Sequence, residues 1–266
     1  MNILHHLILA LAISFSLGAV AQPDPQYAAW NGLLEKHVKW LPDNKQSRVD
    51  YGGFKADRAE LKKVLDAMSA VSKSEFDAWP KPQQMVFLIN AYNAFTVELI
   101  LTKYPDLKSI KDLGSFVNSP WKKKFFKLLG EERTLDWIEH EQLRPNYGDP
   151  RVHAAVNCAS IGCPALRSDA FTVAKLDAQL EDGMLRFMGD RTRNRVKGGT
   201  LEVSSIFKWF REDFEKGQRG FNKVEDVFAK YAAQLTDDAA EQARLKAKTV
   251  AVNHLDYDWS LNAVGR

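Results

Sequence analysis

Cys158 and Cys163 are the two cysteines of a 266-residue chain. They sit in Val156-Asn157-Cys158-Ala159-Ser160-Ile161-Gly162-Cys163-Pro164, with Arg151 and His153 just before. Whether a thiol is thiolate, disulfide or inert filler decides its chemistry, and three outcomes fit this segment. The first is a Cys158–Cys163 disulfide. A bridge needs Cα atoms within about 7 Å, which continuous helix does not give at this spacing, but Gly162 and Pro164 can turn the chain. Closing so short a loop stabilises a fold modestly. The second is a nucleophile. Cys158 at a tight turn, beside unpaired N–H groups, would have a lowered thiol pKa and a place to stabilise an oxyanion. That chemistry suits hydrolysis or transfer at an amide or thioester. The third is buried filler, a common state of free cysteine.

Thiol catalysis also needs an imidazole that a third group orients. His153 lies about 16 Å from Cys158 if the chain between them is extended, so it serves only if the chain doubles back. His140 is flanked by Glu139 and Glu141. His254 has Asp256 two residues on, the same face of a strand. His37 lies on a surface-type helix and is expected to be inert. Asn90 and Asn93, three apart, share a helix face. Buried amides must be hydrogen-bonded, so the pair pins a neighbouring loop or orients a ligand, and pinning is the ordinary role. Asn157, Ser160 and Arg151 complete the candidate orienting groups. The chain has neither Cys-x-x-Cys nor His-Glu-x-x-His, so no metal or other cofactor is expected.

The elements that must hold these residues follow from hydrophobic periodicity. Tyr27, Trp30, Leu33, Leu34, Val38 and Leu41 predict a helix that Pro42 ends. Val49–Tyr51 and Gly52-Gly53 suggest a short strand and turn. A helix over 56–71 follows, then a long one from Gln83 to about Thr102, apolar nearly all round and therefore buried on most sides. Residues 125–135 and 195–203 read as hairpins. Asp136 starts a helix that Pro145 stops, and Val152–Val156 reads as a short buried strand. Thr172 and Ser204 or Ser205 start further helices, the latter running through Glu215. Two more lie near 222–235 and 237–247, and a strand-like Thr249–Leu255 closes the chain. Few, short, unevenly placed strands among many helices predict α+β: a helix-rich single domain, residues 22–266, with a small sheet. Phe207–Phe214 and Tyr257–Leu261 carry aromatics, including Trp209 and Trp259, that are expected to pack as core.

Residues 1–21 contain no Asp, Glu, Lys or Arg; an apolar run ends in Ala19-Val20-Ala21. That is the pattern of a secretory signal peptide, with His5 and His6 where Lys or Arg is usual. The expectation is a periplasmic or secreted protein with no stable membrane span after cleavage, in a space where cysteines can pair. Net charge is +3 and 45% of residues are apolar. Basic runs at 122–124 and 186–197 lack interleaved stacking aromatics and read as solvated, so no nucleic-acid partner is expected.

Several motifs together carry a family resemblance: Phe87–Ala94, Thr134–His140 with Leu143-Arg144, Asp149–Pro164, Phe207–Phe214 and Tyr257–Asn262. In them the chain resembles the domain-of-unknown-function 547 family over nearly all of its mature length, with Ala154 where a bulkier residue is usual. The resemblance implies a fold and not a reaction. It also implies that a bridge is no common requirement, since some members lack the second cysteine. Plant relatives are linked with protein–protein interaction but carry a coiled-coil region absent here. Two functions follow as expectations. One is a cysteine-dependent hydrolase or transferase, with Cys158 as nucleophile and His153, His140 or His254 as base. The other is a non-enzymatic module, binding a small molecule or peptide, whose cysteines are bridged.

Overall fold

Five helices fill the first part of the chain: α1 (Ala28–His37), α2 (Tyr51–Ala56), α3 (Arg58–Ala70), α4 (Lys73–Ala78) and α5 (Lys81–Leu101). The computed structural model describes residues 27–115 and 118–265. The signal-peptide expectation, residues 1–21, lies outside them. A short antiparallel pair, β1 (Val38–Trp40) and β2 (Ser47–Val49), joins α1 to α2. Helix α5 is apolar on every side because it is enclosed on every side. It has the length and composition to cross a membrane, yet 94% of its apolar window is buried inside the fold.

The second part alternates short pieces. Strands β3 (Phe126–Leu128) and β4 (Glu131–Arg133) form a hairpin. A π-helix over Trp137–Leu143 runs into α6 (Arg144–Tyr147), and a 3₁₀ turn covers Pro150–Ala154. Then come α7 (Leu176–Gly189), the hairpin β5 (Arg195–Lys197) and β6 (Thr200–Ser204), and α8 (Ile206–Trp209) with a 3₁₀ turn at Arg211–Phe214. Helices α9 (Val224–Lys230), α10 (Ala232–Leu235) and α11 (Ala239–Lys246) lead to β7 (Val252–Leu255), which pairs parallel with β6. The fold is helix-rich α+β, with small separate sheets of two or three strands among the described residues.

Several local expectations are corrected. Gly52-Gly53 lies inside α2, where the Asp50 side chain caps the Gly53 N–H. Helix α1 ends at His37, before Pro42. His37 is buried, its Nε2 2.8 Å from Asp57 Oδ2, and is no surface residue. Pro145 does not stop its helix. The turn before it is wide, with Arg144 N–H reaching Glu139 O, and Pro145 falls in the first turn of α6, where its missing N–H has no partner to lose. The helix ends instead at Gly148, in the left-handed region. Val152–Val156 is no strand. Asp149 accepts the Arg151 N–H, and Pro150 starts a 3₁₀ turn.

Buried apolar residues form two clusters. One surrounds α5 and includes Tyr92 and Val156; the other is built on α7 to α10 and includes Ile206, Phe207 and Phe214. Helix α7 lies close against the 3₁₀ turn of residues 150–154. A Cβ on Gly183 would lie 2.9 Å from the Ala154 carbonyl oxygen, so this approach requires glycine.

Candidate functional site

The cysteine segment is suspended between α5 and the end of the chain. Asn93 Oδ1 accepts the Asn157 N–H at 2.8 Å, and its Nδ2 donates to Ala155 O at 3.0 Å. One turn earlier, Asn90 clasps the Phe171 backbone through both N–H and carbonyl. Asn157 Nδ2 spans the loop to Pro164 O at 2.7 Å, while its Oδ1 takes the Ala159 N–H and Asn262 Nδ2. Ala159 holds a left-handed φ of 61°, a conformation that costs a non-glycine residue about 1 kcal/mol. From the other side, Ile161 and Gly162 donate N–H bonds to Ser260 O and Asp258 O. Arg193 donates to the Ile161 and Cys163 carbonyls. It is thereby tied to the loop, not solvated as its basic run suggested.

Within this frame Cys158 and Cys163 are disulfide-bonded, with Cα atoms 6.1 Å apart. The chain-entropy relation gives a loop this short about 2 kcal/mol of stabilisation. Gly162 lies under the Tyr257 ring, where a Cβ would be 2.9 Å from the ring carbons. That contact brings the Tyr257 hydroxyl to 3.0 Å from Cys158 Sγ and 3.1 Å from Cys163 Sγ. Burial pushes the Tyr257 phenol well above its ordinary pKa, so it stays an O–H donor. Cys163 Sγ also accepts the Cys158 N–H at 2.9 Å.

The sulfurs lie at the edge of a cavity of about 210 Å³ between the two clusters. Trp121, Trp209, Phe210, Tyr257 and Trp259 wall it. Trp209 stacks on Trp259 at 5.8 Å, and Tyr257 lies 4.9 Å from Trp209 and 4.5 Å from Trp259. Trp209 is 46% exposed. Phe207 and Phe214 are core, as expected, but the tryptophans and Tyr257 are not: they form a wall facing the cavity.

The polar side of the cavity is Asp136, Glu139, His140 and His153. Because the 3₁₀ turn doubles the chain back, His153 and Cys158 line the same space. The two are not aimed at each other. His153 Nε2 donates to Asp213 Oδ2 at 2.8 Å, and Nδ1 lies 3.9 Å from Glu139 Oε1. Its ring stacks on Phe210 at 4.0 Å. His140 Nδ1 accepts from Arg144 Nη1 at 2.8 Å, and Nε2 lies 3.6 Å from Asp136. Burial, with the nearby Glu139 carboxylate, raises the Tyr92 phenol pKa strongly. Burial pushes the Asp213 carboxyl up, but hydrogen bonds from His153, Arg144 and Lys216 outweigh it and hold the acid well below its ordinary range.

The remaining candidates sit elsewhere. His254 is exposed on β7, opposite Val203, and does not line the cavity. Burial and the nearby Lys208 and Arg211 lower its pKa. Arg151 is 2% exposed and bonded to Asp149, Asp177 and Glu181, so it ties α7 to the turn. Ser160 is buried, its Oγ 3.4 Å from Cys158 O. Among the described residues no group of three or more His, Cys, Asp or Glu is placed to hold a metal ion. Sequence reading missed Asp213, 60 residues from the histidine it anchors, and the donor role of Tyr257. No local spacing announces either.

The cysteine segment and α5 share one matched stretch. Residues 76–188 match the model of the family described as Protein of unknown function, DUF547. No curated protein and no solved structure matches the chain. The DUF547 match covers the disulfide and the polar side of the cavity. It ends before Trp209, Tyr257 and Trp259, and so is shorter than the motif resemblance.

Proposed function

We propose that the protein is a binding module whose cavity takes a small molecule, or a peptide side chain, with one flat apolar group and a hydrogen-bond-donating, cationic end. The observation that carries this reading is that the rings of Trp121, Trp209, Phe210, Tyr257 and Trp259 line one cavity with the Asp136 and Glu139 carboxylates. Aromatic faces attract flat groups and cations. The wall already holds one cation: Lys111 Nζ lies 3.8 Å from the Trp259 ring centroid. A space of about 210 Å³ suits roughly one substituted ring, since about 150 Å³ accommodates benzene. The leader-like residues 1–21 support a periplasmic or secreted location, where the bridge would persist.

Phenethylamine and phenylacetate, which differ in the charge beside one ring, test the proposal by calorimetric titration. Saturable binding of phenethylamine, tighter than that of phenylacetate, is expected. Tighter phenylacetate binding would reverse the assigned charge, and no binding of either would remove the proposal.

A second reading, thiol-dependent hydrolysis or transfer at an amide or thioester, is favoured by Cys158, His140 and His153 lining one cavity. It requires the bridge to be reduced and an imidazole to turn from its carboxylate. Hydrolysis of S-phenyl thioacetate by the reduced protein, lost in Cys158→Ser, would establish it. Equal rates in the variant would end it.

A further inference from the structure

The site presents its two sulfurs unequally. Cys158 is partly exposed on the cavity, whereas Cys163 is 3% exposed. Cys163 Sγ accepts the Cys158 N–H at 2.9 Å and the Tyr257 O–H at 3.1 Å. The Tyr257 proton is shared with Cys158 Sγ at 3.0 Å, so it is free to settle on whichever sulfur carries charge. Arg193, bonded to the Cys163 carbonyl and paired with the buried Asp190 carboxylate, pins that end of the loop. The bridge is not the loop's only closure. Asn157 to Pro164 O, and Asn93 to Asn157 N–H and Ala155 O, close the same segment. A bond that is not the loop's only closure, open to a cavity, with two donors on its buried sulfur, is arranged to break and re-form.

We propose that Cys158–Cys163 is a redox-active pair that oxidises thiol-bearing molecules entering the cavity. A substrate thiolate attacks Cys158 Sγ in line with the bridge. A substrate-sulfur–Cys158 bond forms, the Cys158–Cys163 bond breaks, and its electron pair goes to Cys163 Sγ. The Cys158 N–H and Tyr257 O–H stabilise that thiolate. A second substrate thiolate then attacks the substrate sulfur of the mixed disulfide. It forms the substrate disulfide and releases Cys158 as thiolate. Two substrate thiols have lost two electrons, and the pair has gained them. The substrate class is a small thiol or a cysteine peptide. This exchange goes beyond ligand binding and is read out at sulfur, independently of any ring ligand.

The test incubates the oxidised full chain with reduced glutathione near neutral pH. Iodoacetamide quenches the reaction, and peptide mass spectrometry locates glutathione. Glutathione on Cys158, formed at a rate that rises linearly with its concentration in the folded protein, is expected. Tyr257→Phe keeps the ring but removes one donor from the leaving thiolate. It should slow exchange about tenfold with an unfolding free energy, measured in parallel, close to that of the native chain. Glutathione on Cys163, a rate that levels off at the unfolding rate, or unchanged exchange in a folded Tyr257→Phe would each overturn the proposal. If Tyr257→Phe does not fold, Cys163→Ser decides. Its free Cys158 should form a mixed disulfide with oxidised glutathione, and failure to do so counts against the pair.

Discussion

His153 shows how a residue's partners, more than its type, define what it can do. It lines the same cavity as Cys158, yet both ring nitrogens face carboxylates, one at 2.8 Å and one at 3.9 Å. The role this leaves is to fix Asp213, which also binds Arg144 and Lys216 and thereby joins the start of α6 to the turn after α8. The Asp213 carboxyl is held below its ordinary pKa, so its stabilising effect is full above the unfolded value near 3.9 and fades as pH falls below it. Asp213→Asn leaves its cations uncompensated and should cost about 3 kcal/mol at pH 6. Urea unfolding at pH 6 and pH 3 checks this. The deficit should shrink at pH 3, and an equal deficit at both would show that the charge is not what matters. Neither the His153–Asp213 pair nor the Tyr257–sulfur contact was legible, because local periodicity says nothing about residues 60 and 99 positions apart.

At the scale of elements, the long helix was legible and its polar residues were partly so. The Gln83–Thr102 pattern fits α5 because a buried helix is apolar all round, and Asn90 and Asn93 stand out against that background. Their amides clasp the backbones at 171 and at 155–157. Asn93→Ala should cost about 2 to 3 kcal/mol through two lost bonds, one of which leaves the buried Asn157 N–H unpaired. Denaturant unfolding measures this, and a loss under half a kilocalorie would mean that water replaces the amide. Gly183→Ala sets helix propensity, worth about 1 kcal/mol in favour of alanine, against a 2.9 Å clash with the Ala154 carbonyl. The clash involves backbone and should win, so the variant should be less stable in the same assay. Where sequence reading failed, local polar chemistry had overridden hydrophobic pattern. The run Val152–Val156 looks like a strand, but Asp149 and Pro150 set a 3₁₀ turn, and that turn brings His153 round to the cavity.

For the whole molecule, the cavity lies where the two apolar clusters meet, with contributions from α5, the π-helix, the cysteine loop, α8 and the chain end. Composition and strand count revealed the helix-rich α+β class. The meeting of Trp209 with Trp259 depended on β7 pairing parallel to β6, a tertiary fact that no window of sequence contains. Core packing was the expectation for these tryptophans; a surface ring wall is the outcome. Tryptophan fluorescence during titration with phenethylamine, comparing the native chain with Trp209→Ala, tests whether that wall binds the ligand. Removing a ring that is 46% exposed should leave the fold intact. Saturable quenching in the native chain, weakened at least about tenfold in Trp209→Ala, is the predicted result. Saturation at the same concentration in both proteins would place the ligand elsewhere and contradict the account.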